Sequence, residues 1–88
     1  MLIDVSYFAQ AASVIGVDSE TLEATDLRSL LRAVHERHGT DVEPLICSAS
    51  GEPVGWLLID VSGQLVRDPD HVLSPDDTVR FISPISGG

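Results

Sequence analysis

Apolar and polar residues alternate along this chain with two different periods. Residues 2–8 follow the period of two that places alternate side chains on opposite faces of a strand, and they are rich in strand formers. Residues 21–24 alternate in the same way after a polar turn at 17–20, which predicts the returning strand of a hairpin. Between these strands, residues 9–15 are small and apolar and predict a short helical turn or a packed loop.

A helical period follows the hairpin. Four apolar residues recur at i, i+3, i+4 and i+7: Leu27, Leu30, Leu31 and Val34. This spacing places them on one face of a helix. Thr25 or Asp26 can cap its first turn, because a short oxygen-bearing side chain accepts a hydrogen bond from a free backbone N–H. Gly39 stands where helices favour glycine just after the last turn, so the sequence predicts one amphipathic helix.

Short apolar runs separated by turn residues fill the second half of the chain. Residues 56–61, 64–66 and 78–82 predict three strands, of which we expect the first to be central in the sheet. Residues 44–49 fit either a short strand or a loop packed on the core. One helix and five strands predict an α+β fold in which a mixed sheet is covered by the helix. A right-handed crossover through the helix would place the second and third strands parallel.

The charge balance of the chain restricts its partners. Its 88 residues make one small domain, with 14 acidic residues against five arginines, no lysine and a net charge of −9. This balance argues against nucleic acid and against an anionic membrane, and it favours a protein partner with a basic face. Cys47 is the single cysteine, which excludes an intramolecular disulfide. Without a recognisable leader or a long apolar run, we expect a cytoplasmic protein.

The last six residues predict a thin tail. Gly87 and Gly88 lack a Cβ and can pass through narrow channels, and Pro84 favours an extended conformation at Ser83. We therefore predict a domain at residues 1–82 and a flexible tail at 83–88, which spans roughly 20 Å when fully extended. Two terminal glycines alone carry little weight, and their meaning depends on what precedes them.

Several side chains are of types that often act in catalysis or metal binding, but a structural role accounts better for each of them. His35 and His38 have a spacing that could share a metal, but no third ligand is evident, so we expect solvated histidines at the helix end and His71 in a loop. Cys47 has no catalytic context and is expected in the core. Asp76 and Asp77 fit a turn better than a pair of catalytic carboxylates. The aromatic side chains are expected in the core or on a sheet face: Tyr7, Phe8, Trp56 and Phe81.

Four segments together resemble a known family. Residues 7–10, the capped helix at 25–39, the acidic turn and strand at 73–81, and the tail Ser-Pro-Ile-Ser-Gly-Gly at 83–88 resemble the MoaD/ThiS family of β-grasp, ubiquitin-like sulfur carriers. Within that family the tail is most similar to that of the molybdopterin synthase small subunit. The chain departs from the pattern at Ser83, where the family has a proline, and at residues 60–63, where an Asn-containing turn is common. Residues 42–55 match no part of the pattern.

The resemblance implies a function that rests on the C-terminus. An E1-like adenylyltransferase would use ATP to adenylate the Gly88 carboxylate, a sulfurtransferase would supply sulfur to form a thiocarboxylate, and the molybdopterin synthase large subunit would receive it. Ser83, Pro84, Ile85, Ser86 and Gly87 would then occupy the partner's channel, and the chain itself would bind no cofactor or metal. Three alternatives remain: a carrier for thiamine thiazole, cysteine, tRNA thiolation or a secondary metabolite; a ubiquitin-like protein modifier; and an inert β-grasp binding module.

Overall fold

The strands form one mixed sheet built around the last strand in the sequence. The computed structural model describes residues 1–83, and within them the strands are β1 Leu2–Ala9, β2 Ser19–Glu23, β3 Leu58–Val61, β4 Gln64–Leu65 and β5 Thr78–Ser83. Their order across the sheet is β2-β1-β5-β3-β4. β1 pairs antiparallel with β2 and parallel with β5, and β3 pairs antiparallel with both β5 and β4. This mixed sheet covered by one main helix is the β-grasp fold, as the sequence predicts.

The central strand is not the one that the sequence pattern indicates. β5 lies at the centre, and β3 lies between β5 and the short edge strand β4. β2 and β3 run in the same direction, as the crossover argument requires, but β1 and β5 separate them. β3 also begins later than predicted, because the backbone turns just before it. Leu57 N–H donates to Val54 O at 3.2 Å, and the Arg67 guanidinium binds the carbonyl oxygens of the same two residues.

Because of this turn, the prediction that Trp56 lies in the core or on a sheet face is wrong. Its side chain is 56% exposed and precedes the strand, so it lies neither in the core nor on a sheet face. The other three aromatic residues lie where they are expected. Tyr7 and Phe81 are buried with stacked rings 5.9 Å apart, and Phe8 lies on the outer face of the sheet.

The main helix, α2, spans Leu27–His38 and forms where the apolar period predicts it. Asp26 rather than Thr25 is its N-cap, since the Asp26 carboxylate accepts a hydrogen bond from Ser29 N–H at 2.7 Å and Asp26 N–H donates back to Ser29 Oγ at 3.1 Å. This reciprocal arrangement satisfies two backbone donors at the helix start. Gly39 ends the helix with φ +81°, and a short 3₁₀ turn, Gly39–Val42, follows. The shorter helix α1, Gln10–Ile15, links β1 to β2.

The core lies between α2 and the inner face of the sheet. All four apolar residues of the helical stripe are buried, and they meet alternate residues of β1, β3 and β5. On β1 and β5, for example, Val5, Val79 and Phe81 are fully buried while their neighbours point to the other face. One hydrophobic layer therefore holds the helix on the sheet and leaves the outer sheet face open.

Residues 42–55, which the sequence pattern leaves unassigned, pack along the flank of α2 and contribute to the core. This segment contains an isolated bridge between Cys47 and Pro53 instead of a strand, which makes the packed loop the correct alternative. Arg32 Nε donates to Ser50 O at 3.2 Å. Gly51 approaches so closely that a Cβ built there would lie 2.6 Å from Arg28 O. The loop and the sheet thus both pack against α2, and we call the close approach of Gly51 to Arg28 the clamp.

Gly51→Ala is expected to destabilise the fold more than a matched glycine substitution. Gly51 and Gly63 both have positive φ, +87° and +93°, but a Cβ at Gly63 meets no atom within 4 Å. Gly63→Ala should therefore show only the left-handed strain of about 1–2 kcal/mol. Gly51→Ala adds a collision with helix backbone and should lose roughly 2–5 kcal/mol in total. Urea unfolding measures both values, and equal losses would contradict the clamp.

Candidate docking face and tail root

The residues predicted to carry the chemistry lie beyond the last strand. Gly88, and Pro84 to Gly87 of the predicted channel tail, fall outside the residues that the structure describes. Ser83 is described, and it belongs to β5 rather than to a tail: it pairs with Ala9 and is fully buried. The Ser83 hydroxyl makes no hydrogen bond within residues 1–83. The sheet therefore extends one residue further than the predicted domain, and Ser83 belongs to its central strand.

Three apolar side chains form a row on the outer face of the sheet at this end of β5. The register places Phe8 opposite Ile82 on one side and Leu58 opposite Ile82 on the other. Since directly paired residues share a sheet face, all three point away from the helix. Phe8 is 43% exposed and Leu58 44% exposed. We call this row, together with the next row described below, the docking face.

The next row of the docking face carries charge. Ser6 and Asp60 pair with Arg80, and Leu65 pairs with Asp60, so these four residues also point outward. Arg80 Nε lies 4.0 Å from Asp60 Oδ2, at the limit of an ion pair. Beyond this row the face hollows into an open polar depression of about 350 Å³. Its lining residues are Asp60, Ser62, Gly63, Thr78 and Arg80.

Arg80 is the arginine that the fold holds least tightly. The other four bind partners within the domain: Arg28 with Asp70 and Glu52, Arg32 with Ser50, Arg37 with Glu20, and Arg67 with Leu57 and Val54. Arg80 is exposed at the middle of the docking face. In a chain of net charge −9, four of the five arginines therefore stabilise the fold, and Arg80 alone lies beside the apolar row with a weak partner.

A partly buried polar cluster supports the inner side of β1 under the docking face. The Tyr7 hydroxyl donates to Glu20 Oε2 at 2.5 Å, His38 Nε2 lies 2.6 Å from the same oxygen, and Arg37 Nε lies 2.8 Å from Glu20 Oε1. Glu20 thereby joins β1, β2 and the last turn of α2. Burial acts to raise the pKa of Glu20, but the hydrogen bonds from Tyr7 and His38 and the charge of Arg37 outweigh it and lower the pKa. The Tyr7 pKa is raised by burial and by the Glu20 carboxylate.

The histidines are more engaged than the sequence suggests. His38 is bound to Glu20, and His35 Nε2 lies 2.7 Å from Glu43 Oε2, with side chains only 15% and 16% exposed. The expectation of solvated helix-end histidines is therefore wrong, because carboxylates from β2 and from the loop after the helix fold over them. Within residues 1–83 no group of three or more potential ligands could hold a metal ion. His71 lies in a loop, as predicted, and its carbonyl accepts from Leu27 N–H at 3.0 Å.

Cys47 and the acidic turn have structural roles. The Cys47 thiol is fully buried and donates to Leu31 O at 3.2 Å, and burial raises its pKa to about 12, so it is not a nucleophile at neutral pH. Asp77 accepts hydrogen bonds from Ser74 N–H at 2.8 Å and from Ser62 Oγ at 2.7 Å, which lower its pKa and close the turn before β5. Neither helix of the described residues is long and apolar enough to cross a membrane.

The docking face is the feature that linear sequence reasoning misses. The alternation in residues 78–82 does place Ile82 and Arg80 on one strand face. What it does not contain is the pairing of β5 with both β1 and β3, which brings Phe8 and Leu58 to Ile82 from distant parts of the chain. The available signal was an apolar residue at an outward strand position in each of these strands.

Comparisons with known proteins agree with this architecture. The model of the ThiS family matches residues 5–88. A search of curated protein sequences found no match. Among solved structures, SAMP1 (small archaeal modifier protein 1) from Haloferax volcanii is similar over the full length of both chains, at 17% identity and with a TM-score of 0.83. This similarity is one of fold.

Two further structures come from molybdopterin-related proteins. A putative molybdopterin converting factor, subunit 1, from Pyrococcus furiosus is 25% identical over 97% of this chain and 99% of that chain, with a TM-score of 0.76. The complex of subunits 1 and 2 of the molybdopterin-converting factor from Helicobacter pylori contains a chain that is 20% identical over the full length of both, with a TM-score of 0.66. The same fold is thus found both in modifier proteins and in subunits that bind a partner subunit.

Glu20→Gln is expected to make the fold less sensitive to acid. A carboxyl group whose pKa is lowered by folding contributes stability above its unfolded pKa, about 4.3, and that contribution is lost as the pH falls through the folded value. The difference in unfolding free energy between wild type and Glu20→Gln should therefore be largest near neutral pH and shrink below roughly pH 4. Thermal unfolding from pH 7 to pH 3 measures it.

Glu36→Gln is the control for this experiment. Glu36 is exposed and makes no hydrogen bond or ion pair within residues 1–83. Its substitution should leave the acid dependence of unfolding close to that of wild type. The same pH dependence in both variants would contradict the role assigned to the Glu20 cluster.

Proposed function

Because the chain belongs to the ThiS family of small ubiquitin-like sulfur carriers, we propose that it carries sulfur as a thiocarboxylate on Gly88 and donates it as the small subunit of a molybdopterin synthase. One observation carries this proposal: the family match runs through β5 to residue 88, so it includes the terminal Gly-Gly as well as the folded domain. The similarity to the P. furiosus subunit supports the choice of pathway.

The chemistry resides in the terminal carboxylate because no described side chain offers a better centre. A carboxylate is a poor electrophile, since its charge repels nucleophiles and oxide is a poor leaving group. An E1-like adenylyltransferase overcomes this by transferring AMP from ATP to Gly88 with release of pyrophosphate. Hydrosulfide supplied by a sulfurtransferase then attacks the acyl carbon, and AMP leaves. The product is a thiocarboxylate, whose sulfur stays anionic and nucleophilic at neutral pH.

The folded domain contributes position to this reaction. β5 is hydrogen-bonded on both sides, so the point at which the tail begins is held in the middle of the sheet. From that root, the five residues 84–88 span roughly 17 Å when extended, which is enough to enter a partner's active site while the domain stays outside. A side chain larger than hydrogen at Gly87 or Gly88 would crowd the channel and the acyl carbon.

The docking face supplies the contact that holds the partner near the tail. Its apolar row at Phe8, Ile82 and Leu58 lies beside the end of β5, where it can form the apolar centre of an interface. The charge of the chain favours a partner with basic residues around its channel mouth. Apolar contacts then set the lifetime of the complex, while the charges set the rate of encounter. Raising the salt concentration should accordingly slow association more than it speeds dissociation.

Formation of a Gly88 thiocarboxylate is the direct test of the carrier function. The full chain is incubated with ATP, sulfide and the E1-like adenylyltransferase of the same organism, and its intact mass is measured. We expect replacement of one oxygen by sulfur, located to Gly88 by fragmentation. The variant lacking Gly87 and Gly88 should show no change in mass, while its melting temperature stays close to that of wild type. A wild-type chain that forms neither an acyl adenylate nor a thiocarboxylate would leave only the inert module. Isopeptide-linked conjugates in cells would favour the modifier.

Ile82→Glu is expected to disrupt partner binding without unfolding the domain. Ile82 lies at the centre of the apolar row, and a buried charge at an interface centre should lose about 2 kcal/mol or more, roughly thirtyfold in Kd. Thr78→Glu is the matched control, since Thr78 is exposed on the same face of the same strand but two rows away.

Pull-down from the native cell extract, with mass spectrometry of the bound proteins, identifies the partner that these variants lose or keep. Recovery of a pterin-binding large subunit by wild type and Thr78→Glu, but not by Ile82→Glu, supports the proposal. Recovery of a thiazole synthase, a cysteine-forming enzyme or a tRNA thiolase would assign the carrier to another pathway. Equal binding by all three proteins would remove the docking face from the interface.

A further inference from the structure

Within residues 1–83, strand β2 is hydrogen-bonded to β1 on one side only. Two backbone hydrogen bonds, one at each end of β2, show which of its residues direct their N–H and C=O groups towards β1. Ala24 N–H donates to Met1 O at 2.9 Å, and Tyr7 N–H donates to Asp18 O at 2.8 Å. In an antiparallel pair the residues that bond the neighbouring strand alternate along the chain. Because residues 18 and 24 both bond β1, the even-numbered residues between them do so too.

The odd-numbered residues of β2 consequently direct their backbone away from the sheet. These are Ser19, Thr21 and Glu23, and all three are exposed. β2 is an edge strand, and no residue among 1–83 forms a backbone hydrogen bond to these three positions across the free edge. Such an edge is a ready template for another extended strand.

A cleft lies beside this edge, between β2 and the second half of α2. Its volume is about 450 Å³. Leu22 and Ala33 form its apolar part, Glu36 and Arg37 carry the charges on the helix side, and Glu23 lies at its rim. A strand added to β2 would place every second side chain over Leu22 and Ala33 and the others on the opposite face, next to Thr21 and Glu23.

The charges around the cleft select a basic occupant. Arg37 is already bound to Glu20, and Glu23 is bound to the N-terminal amine, whereas Glu36 has no ion pair within residues 1–83. The chain as a whole carries −9. A second copy of this chain would bring the same negative charge to the edge, so self-pairing is disfavoured.

We propose that the free edge of β2 is a second protein-binding surface, which adds an extended segment of a partner protein with alternating aliphatic and basic residues as a sixth strand. Main-chain hydrogen bonds to the three odd-numbered residues provide the affinity, and the cleft provides the preference for small aliphatic side chains. This surface lies at the opposite edge of the sheet from β4. It does not involve Gly88, so it stands independently of the carrier function.

Amide hydrogen exchange of the ¹⁵N-labelled full chain tests the proposal with a synthetic peptide, acetyl-Lys-Val-Lys-Val-Lys-Val-Lys-amide. At a peptide concentration about ten times its Kd, exchange at bonded positions should slow about tenfold. We expect slowing at Ser19, Thr21 and Glu23, and no change at Glu20 and Leu22, which β1 already bonds. The same peptide with Glu in place of Lys should give no slowing at these positions.

Thr21→Pro separates edge pairing from general attraction to an acidic protein. Proline removes the outward N–H of Thr21 but no hydrogen bond to β1, so the sheet should tolerate it, as edge strands do. Thr21→Val keeps the N–H and is the matched control. We expect Thr21→Pro to abolish the slowing and Thr21→Val to retain it. Glu36→Arg, on the helix side of the cleft, provides a second test that leaves the strand intact and should weaken binding of the lysine peptide.

Three results would overturn the proposal. One is slowing that does not follow the alternation of residues 19, 21 and 23, and another is unchanged binding by both Thr21→Pro and Glu36→Arg. The third is a concentration-dependent dimer of the peptide-free chain that Thr21→Pro abolishes, because the edge would then pair with a second copy. Since thiocarboxylate formation on Gly88 is measured separately, none of these results bears on the proposed carrier function.

Discussion

The parallel pairing of β1 with β5 is the constraint on which the rest of the structure depends. These strands come from opposite ends of the chain, so every other element must connect them from outside: the hairpin on one side, the helix above, and β3 with β4 on the other side. Such a pairing closes a loop of nearly the whole chain, and the buried layer of Val5, Tyr7, Val79 and Phe81 offsets that entropy. The chain terminus then leaves from the best-supported strand of the sheet.

Because β5 is central, its two faces have different surroundings: one faces α2 and the other faces away from the helix. Inward residues of β5 pack under α2, and the outward residues Ile82 and Arg80 belong to the proposed docking face. A substitution on the outward face can therefore change recognition with little effect on the core. Because both faces belong to the strand that ends at Ser83, the proposed docking face lies at the end of β5 from which residues 84–88 continue.

The charged residues also fall into two groups, those that stabilise the fold and those that give the surface its negative charge. Four of the five arginines hold loops, helix and strands to one another, and Glu20 joins a tyrosine, a histidine and an arginine in one partly buried cluster. The remaining acidic groups are spread over the surface and account for the strongly negative charge. In the proposed complex this charge would attract a basic partner to the whole domain, and the apolar row would fix where it binds.

The sequence by itself determined the features that depend on neighbouring residues. The apolar stripe and the cap at Asp26 define α2, alternation defines β1 and β5, and the terminal glycines with the preceding strand predict where the chemistry lies. Such features follow from local geometry: helix period, strand period and the small size of glycine. The resemblance in the same segments identified the family and the β-grasp fold.

Only the tertiary structure decided what depends on residues far apart in the chain. It placed β5 rather than β3 at the centre, brought Phe8 and Leu58 to Ile82, and exposed Trp56 in a turn held by Arg67. It also buried His38 against Glu20, although both looked like surface residues. The physical reason is that strand order and side-chain partners are set by packing the whole sheet against one helix, and no local period encodes which distant strand becomes a neighbour.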